Sequence, residues 1–275
     1  MVRRDAPGEQ QAAQPRRRYG QHFLTDPRIL ARIAAAAGIE AGDTVLEIGP
    51  GRGALTEQLL ARVGSAGMLI AVEVDRELAA GLRARHAGRH EFRLVEGDVL
   101  DLDVAATVTP PFLLVGNIPY NITTPILFKA LEPPRARRMV FLVQREVADR
   151  LGAPPGSKEY GALSANAQAV ANIEVLFRVS AGSFSPPPKV ESAVIRVVPR
   201  ETPDVTPERQ AAYRSLVQGL FSYRRKQMLR AVRAACSLDA TTAAAVLERA
   251  GIRATDRPEV LTPADFARLL EALRA

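Results

Sequence analysis

The chain has 275 residues, 47% of them apolar, enough for one large core or for a large and a small one. No apolar run nears the ~18 residues that span a bilayer, the N-terminus has no apolar signal stretch, and a single cysteine, Cys236, excludes an internal disulfide framework and a cysteine-cluster metal site. The net charge of +7 comes from the two ends, residues 1–40 and 200–275, around a balanced middle; this fits either a polyanionic partner or a solvated face of an Arg-rich protein.

Residues 1–15, rich in Gln, Ala and Pro, read as a disordered basic tail. A helix is predicted after Asp26-Pro27, with Ile29, Leu30 and Ile33 on one face. Short apolar runs then alternate with helical stretches. Strands are predicted at 44–48, 68–74, 92–95, 112–115, 139–143, 175–179 and 193–198. Helices are predicted at 54–63, 76–86, 125–131 and around 161–170. Such alternation implies an α/β domain: a Rossmann-like, mostly parallel sheet of about seven strands covered on both faces. The last two strands are close enough in sequence to pair antiparallel at one edge. After Pro199 the texture changes. Thr206-Pro207-Glu208 opens a helix carrying Tyr213, Leu216, Val217 and Leu220, and further helices are predicted at 225–235, 241–250 and 263–270. The domain reading is therefore a tail at 1–15, the sheet domain at 16–200 and a small all-helical domain at 201–275.

The chemistry collects at strand ends. Val45 to Gly53 reads as a strand running into a Gly-rich turn, with Gly49, Gly51 and Gly53 letting the backbone approach a ligand. That turn fits a dinucleotide, a phosphate or S-adenosylmethionine, and it lacks the Gly-Lys-Ser/Thr of a P-loop. The second strand ends at Glu73-Val74-Asp75, where Glu73 is suited to accept both hydroxyls of a ribose. The third ends at Gly97-Asp98-Val99, where Asp98 is suited to an adenine amino group. The fourth ends at Asn117-Ile118-Pro119-Tyr120. There the Asn117 side-chain oxygen and the Ile118 carbonyl together suit an exocyclic amino group, Pro119 stiffens the turn, and Tyr120 offers a flat face to a planar base. In an open α/β sheet this carboxyl edge is where ligands bind. A dehydrogenase shares the first two elements but needs neither of the last two; methyl transfer from a sulfonium accounts for all four.

With these residues assembled, the chain resembles the rRNA adenine N6-dimethyltransferase family over nearly its whole length, from about Arg18 onward. Tyr19-Gly20-Gln21-His22-Phe23-Leu24 is similar to the family's Leu-Gly-Gln-Asn-Phe-Leu segment, which implies cofactor contacts for Gln21, His22 and Leu24; His22 stands where Asn is usual. Phe184-Ser185-Pro186-Pro187-Pro188-Lys189-Val190-Glu191-Ser192 resembles the Phe-x-Pro-x-Pro-Lys-Val-Asp-Ser loop, with Phe184 as a possible second stacking ring or a core aromatic. Phe221 with Arg224-Arg225-Lys226 resembles the Phe-x-x-Arg-Arg-Lys segment. These segments, with Gln144 to Leu151, favour the bacterial branch acting on 16S rRNA.

The resemblance implies a cytoplasmic enzyme using S-adenosylmethionine to dimethylate two adjacent adenosines near the 3′ end of 16S rRNA within the 30S subunit. The chain itself is read as a monomer and, with one cysteine, three histidines and no bilayer-length apolar run, as having no metal and no membrane partner. The catalytic set would be Asn117, Ile118, Pro119, Tyr120 and Phe184. The cofactor set adds Val74, Val99 and Asn117 to the Gly-rich turn, Glu73 and Asp98. Arg16, Arg17, Arg18, Lys189, Arg224, Arg225 and Lys226 would hold RNA phosphates. Two other readings stand beside it: a 23S rRNA resistance methylase of the same chemistry, and a non-catalytic ribosome assembly factor.

Overall fold

The computed structural model describes residues 22–274, so the readings placed on residues 1–15, on Arg16, Arg17 and Arg18 and on Gln21 lie outside the described residues. In chain order the elements begin with β1 (Phe23–Leu24), α1 (Pro27–Ala36), β2 (Thr44–Ile48), α2 (Ala54–Val63), β3 (Met68–Glu73), α3 (Arg76–Arg85) and β4 (Phe92–Glu96). They continue with α4 (Val104–Thr107), β5 (Leu113–Asn117), α5 (Thr123–Ala130), β6 (Arg138–Gln144), α6 (Arg145–Leu151), α7 (Ala162–Gln168), β7 (Ala171–Val179), β8 (Phe184–Ser185) and β9 (Ser192–Pro199). Four helices close the chain: α8 (Gln210–Phe221), α9 (Met228–Cys236), α10 (Ala240–Arg249) and α11 (Pro263–Ala272). Among the described residues no helix is long and apolar enough to cross a membrane.

The seven-stranded sheet runs β4-β3-β2-β5-β6-β9-β7. The first five strands are parallel, while β9 lies antiparallel to both β6 and β7. This is the Rossmann-like architecture expected, with the antiparallel pair at one edge and the later strand, β9, inserted inside β7. Strand order reverses direction between β2 and β5, and such a switch point opens a crevice at the carboxyl ends of the strands.

Alternation along the strands sorts side chains to two layers. Leu46, Ile48, Ile70, Val72, Leu114 and Phe141 face one, and Val45, Leu69, Leu113, Val115, Val140 and Leu142 face the other, against α1 and α2. The first layer is continuous with the apolar interior of α8 to α11, so no gap in packing separates the C-terminal helices from the sheet. Two buried tyrosines tie them: Tyr160 donates to the Leu261 carbonyl at 2.9 Å, and Tyr213 of α8 donates to the Ala165 carbonyl of α7 at 3.4 Å. Burial pushes both phenols well above the ordinary tyrosine value, which keeps these donors protonated.

Helix starts follow local chemistry. Asp26, Asp75, Asp103 and Asp239 cap α1, α3, α4 and α10 by accepting backbone N–H groups, and Thr262 with Asp265 forms a capping box on α11. Four elements among the described residues had no sequence assignment: the short helix α4, helix α6 and the strands β1 and β8. Helix α6 covers all of the Gln144 to Leu151 segment but its first residue, which ends β6 and caps the helix. The pair β1–β8, with Phe23 opposite Ser185 and Leu24 opposite Phe184, joins positions 161 or so residues apart. The helix predicted from 225 instead begins at Met228, because residues 222–227 form turns.

Candidate active site

A cavity of about 460 Å³ opens at the carboxyl ends of β2, β3, β4 and β5, within the range of small-molecule sites. Its walls include His22, Leu24, Gly49, Gly51, Glu73, Val74, Asp98, Val99 and Asn117 through Tyr120. The structure thus brings most of the sequence-predicted set to one rim. The register explains the meeting of the two loops: Ile48 pairs with Gly116, so the turns after β2 and β5 leave the sheet side by side.

The Gly-rich turn is a cradle that side chains would fill. Gly51 has φ 56°, and a Cβ there would sit 3.0 Å from the Phe23 ring. Gly53 differs from expectation. It is absent from the cavity wall; with φ 82° it is the N-cap of α2, and a Cβ would meet Leu82 at 2.8 Å. Its requirement for glycine comes from the turn into the helix and from helix packing, not from ligand approach.

Glu73 is 4% exposed and held at both oxygens, by the Gly51 N–H at 2.9 Å and the Asp75 N–H at 2.9 Å. Burial raises its pKa, and these backbone donors pull it back. Asp98 accepts the Leu100 N–H through one oxygen at 2.9 Å. Two carboxylates at adjacent strand ends form an acceptor set suited to a ribose diol and an exocyclic amine, beside a cradle open to backbone approach. The residues present therefore fit an adenosyl cofactor.

Glu47, on the same face of β2 as Val45, is 1% exposed, and neither carboxyl oxygen has a hydrogen-bond partner among the described residues. Burial is the main cause that lifts its pKa to about 8; the neighbouring Thr56 hydroxyl pulls it down and the charge of Glu73 adds to the rise. A carboxyl that titrates near 4.5 when unfolded and near 8 when folded binds more protons in the folded state between those values, so stability falls as pH rises through that window. Glu47→Gln should remove about 2–4 kcal/mol of this loss. Chemical denaturation at pH 5 and at pH 8.5 checks it: the variant should gain on the parent only at the higher pH.

At the turn after β5, Asn117 Nδ2 donates to the main-chain carbonyl of His22 at 3.2 Å. Because that carbonyl only accepts, the amide is oriented with its oxygen turned away from His22. The Ile118 N–H donates to Leu142 at 3.1 Å, and the turn's own hydrogen bonds fall on the carbonyls of Pro119 and Tyr120. Tyr120 is half-buried, shares a 2.5 Å hydrogen bond with Ser192, and stacks on His22 with ring centroids 5.9 Å apart and planes at 27°. Burial holds its phenol above the ordinary value, against the pull of the Ser192 bond, so it is protonated at neutral pH and is no general base.

Two predicted roles are corrected. Phe184 is 4% exposed in the apolar layer against α1 and α2, and it is absent from the cavity wall. Pairing of β8 with β1 turns its ring inward, where burial of an aromatic outweighs any stacking use. Arg224 is not a free cation: it pairs with Glu259 at 2.8 Å and donates to the Lys158 carbonyl at 2.7 Å, bracing the 222–227 turn. Lys189, Arg225 and Lys226 are exposed, without an ion pair among the described residues. Arg230 and Arg233 are exposed on the outer face of α9, and Tyr223, in the turn before it, is 38% exposed. Sequence reading passed over these three. An aromatic beside Arg225-Lys226 was the available signal for Tyr223, and the i,i+3 spacing of Arg230 and Arg233 within the predicted helix was the available signal for the arginines.

A family model described as ribosomal RNA adenine dimethylase matches residues 12–274. The chain is 41% identical to "Ribosomal RNA small subunit methyltransferase A" of Acinetobacter baylyi, covering 94% of this chain and 92% of the relative. It is 44% identical to the protein of the same name from a Synechococcus strain, over 94% and 93%. Among solved structures, a dimethyladenosine transferase from Plasmodium falciparum superposes with TM-score 0.78 at 28% identity, covering 92% of this chain and 98% of that one. The 23S rRNA methyltransferase ErmE superposes with TM-score 0.69 at 29% identity, over 92% and 100%.

Proposed function

The chain belongs to the ribosomal RNA adenine dimethylase family, and from that premise we infer that it dimethylates N6 of two adjacent adenosines near the 3′ end of 16S rRNA, using S-adenosylmethionine. The observation that carries this reading is the meeting, in one cavity, of an adenosyl-type acceptor set (Glu73 and Asp98) with an amino-group acceptor set (Asn117 and Ile118) beside an aromatic ring. The small-subunit name of relatives at 41–44% identity supports 16S over 23S rRNA as the substrate.

In this reading Gly49, Gly51, Glu73, Val74, Asp98 and Val99 hold the cofactor, with His22 and Leu24 closing the wall from β1. The cofactor, when bound, supplies a methyl group on a positively charged sulfur. Tyr120 receives the adenine once it leaves the RNA stack. Asn117 Oδ1 and the Ile118 carbonyl accept the two amino hydrogens, which orients the nitrogen lone pair and stabilises the positive charge it gains on attack. A nitrogen made cationic loses its proton readily, so this rim needs no strong base. The reaction requires no metal, and the protein acts as a monomer in the cytoplasm, where small subunits are assembled.

Residues 201–275 act as the RNA-binding unit. Arg225, Lys226, Arg230, Arg233 and Lys189 meet phosphates, and Tyr223 stacks on an unpaired base. Arg225→Ala with Lys226→Ala should weaken binding to small subunits and flatten the slope of log affinity against log salt by about 1 to 2. Arg224→Ala should leave that slope in place and lower the melting temperature instead. Filter binding at several salt concentrations, with thermal melts, separates the two.

The direct test is incubation of unmethylated small subunits and, in parallel, unmethylated 23S rRNA with labelled S-adenosylmethionine, followed by mass mapping of nucleosides. Dimethyladenosine at two adjacent positions near the 16S 3′ end is expected. Label in 23S rRNA alone, or in neither RNA, would overturn the reading.

A further inference from the structure

We propose that Ser192 and His22 are positioning residues that fix the Tyr120 ring in one orientation and leave only one of its faces to the target base. The inference rests on the reading of Tyr120 as the stacking platform and names what holds it. Three chain segments distant in sequence converge on this ring. Tyr120 begins a single turn of 3-10 helix, Tyr120–Ile122, which by itself leaves the side chain free to rotate.

Ser192 removes that freedom at the hydroxyl end. It is fully buried, it is the first residue of β9, and it sits between Gln144 of β6 and Val179 of β7 in the sheet. Its Oγ, carried on this rigid backbone, lies 2.5 Å from the Tyr120 hydroxyl.

His22 acts on the ring face. Its imidazole lies nearly parallel to the phenol, and its Nδ1–H donates to the Pro186 carbonyl at 2.9 Å, which holds the imidazole in place. The strand that follows it is fastened by the Thr25 N–H to the Ser183 carbonyl at 2.8 Å. The main-chain carbonyl of the same residue orients the Asn117 amide. One residue thus sets both the free face of the ring and the direction of the amino-group acceptor. A platform already ordered before the base arrives needs no ordering during the reaction, so its contribution falls on turnover and not on cofactor capture.

Ser192→Ala and Tyr120→Phe delete the same hydrogen bond from opposite ends. Each should lower kcat for small-subunit methylation about tenfold, with cofactor dissociation and KM for subunits unchanged, and the double variant should be no worse than either single one. Independent, multiplying losses would overturn the Ser192 assignment, as would full turnover by Tyr120→Phe, a variant that keeps the ring and so still tests the bond if Ser192→Ala fails to fold. For His22, Ala should lower kcat, Phe should restore most of it by keeping a flat ring, and Gln should not. Equal activity of the Ala and Phe variants would overturn the face-covering role. Parent enzyme run alongside separates the two levels: if it does not dimethylate subunits, the proposed function fails, whereas if it does and the variants break this pattern, only the positioning inference fails.

Discussion

Asn117→Ala should reduce methyl transfer by about 10²- to 10³-fold while weakening cofactor binding only a few-fold. The amide's Nδ2 is engaged by the His22 carbonyl, which leaves its oxygen as the acceptor that the proposed function assigns to the target amino group. Alanine removes that acceptor and leaves the His22 carbonyl without its donor, but it leaves Glu73, Asp98 and the Gly-rich turn as they are. Single-turnover methylation of small subunits, with equilibrium binding of labelled S-adenosylmethionine, measures the two effects separately. Retained turnover would remove Asn117 from the catalytic set; an equal collapse of both would make it a cofactor residue. Asn117→Asp is a sharper variant. It keeps one acceptor oxygen but puts the second carboxylate oxygen against the His22 carbonyl, and it should recover little activity because the orienting hydrogen bond cannot form.

Glu73→Gln should weaken S-adenosylmethionine binding by about 100-fold and destabilise the folded chain by about 1–3 kcal/mol. Both carboxylate oxygens already accept buried N–H groups, from Gly51 and from Asp75. A carboxamide has one acceptor oxygen, so one of those donors would face an NH2 group. The Gly51 donor belongs to the cradle, which means the loss spreads to the turn that contacts the ligand. Because burial raises the pKa of Glu73, acidification should protonate it at a higher pH than an ordinary glutamate. Cofactor affinity should therefore fall with decreasing pH in the parent, beginning above the usual carboxylate range, and this dependence should vanish in Glu73→Gln. Calorimetric titration across pH 5 to 8 reads both. An unchanged pH profile in the variant would place the sensitive group elsewhere, with Glu47, raised to about 8, as the next to test.

The alternation of short apolar runs with amphipathic stretches was sufficient to specify the α/β class, because side-chain period and strand length are local properties. The four ligand-type strand ends were equally legible, since each is a turn motif written in consecutive residues, and parallel pairing then carries all four to one edge. The contacts among distant segments were not legible. Nothing near His22 in the chain announces that its ring meets Tyr120, and nothing near Ser192 announces that its hydroxyl meets the same phenol. Phe184 and Arg224 show the converse: their motifs suggested contact with base and phosphate, yet β1–β8 pairing buries the first and Glu259 pairs with the second.

By itself, then, the sequence determined the layered fold and which strand ends line the cavity, both of which follow from residue types a few positions apart. The tertiary structure alone decided which groups orient those residues and which basic side chains remain free. Those outcomes depend on pairings between residues up to 164 positions apart. Such pairings are chosen by burial and hydrogen-bond satisfaction across the whole core, not by any local preference of the chain.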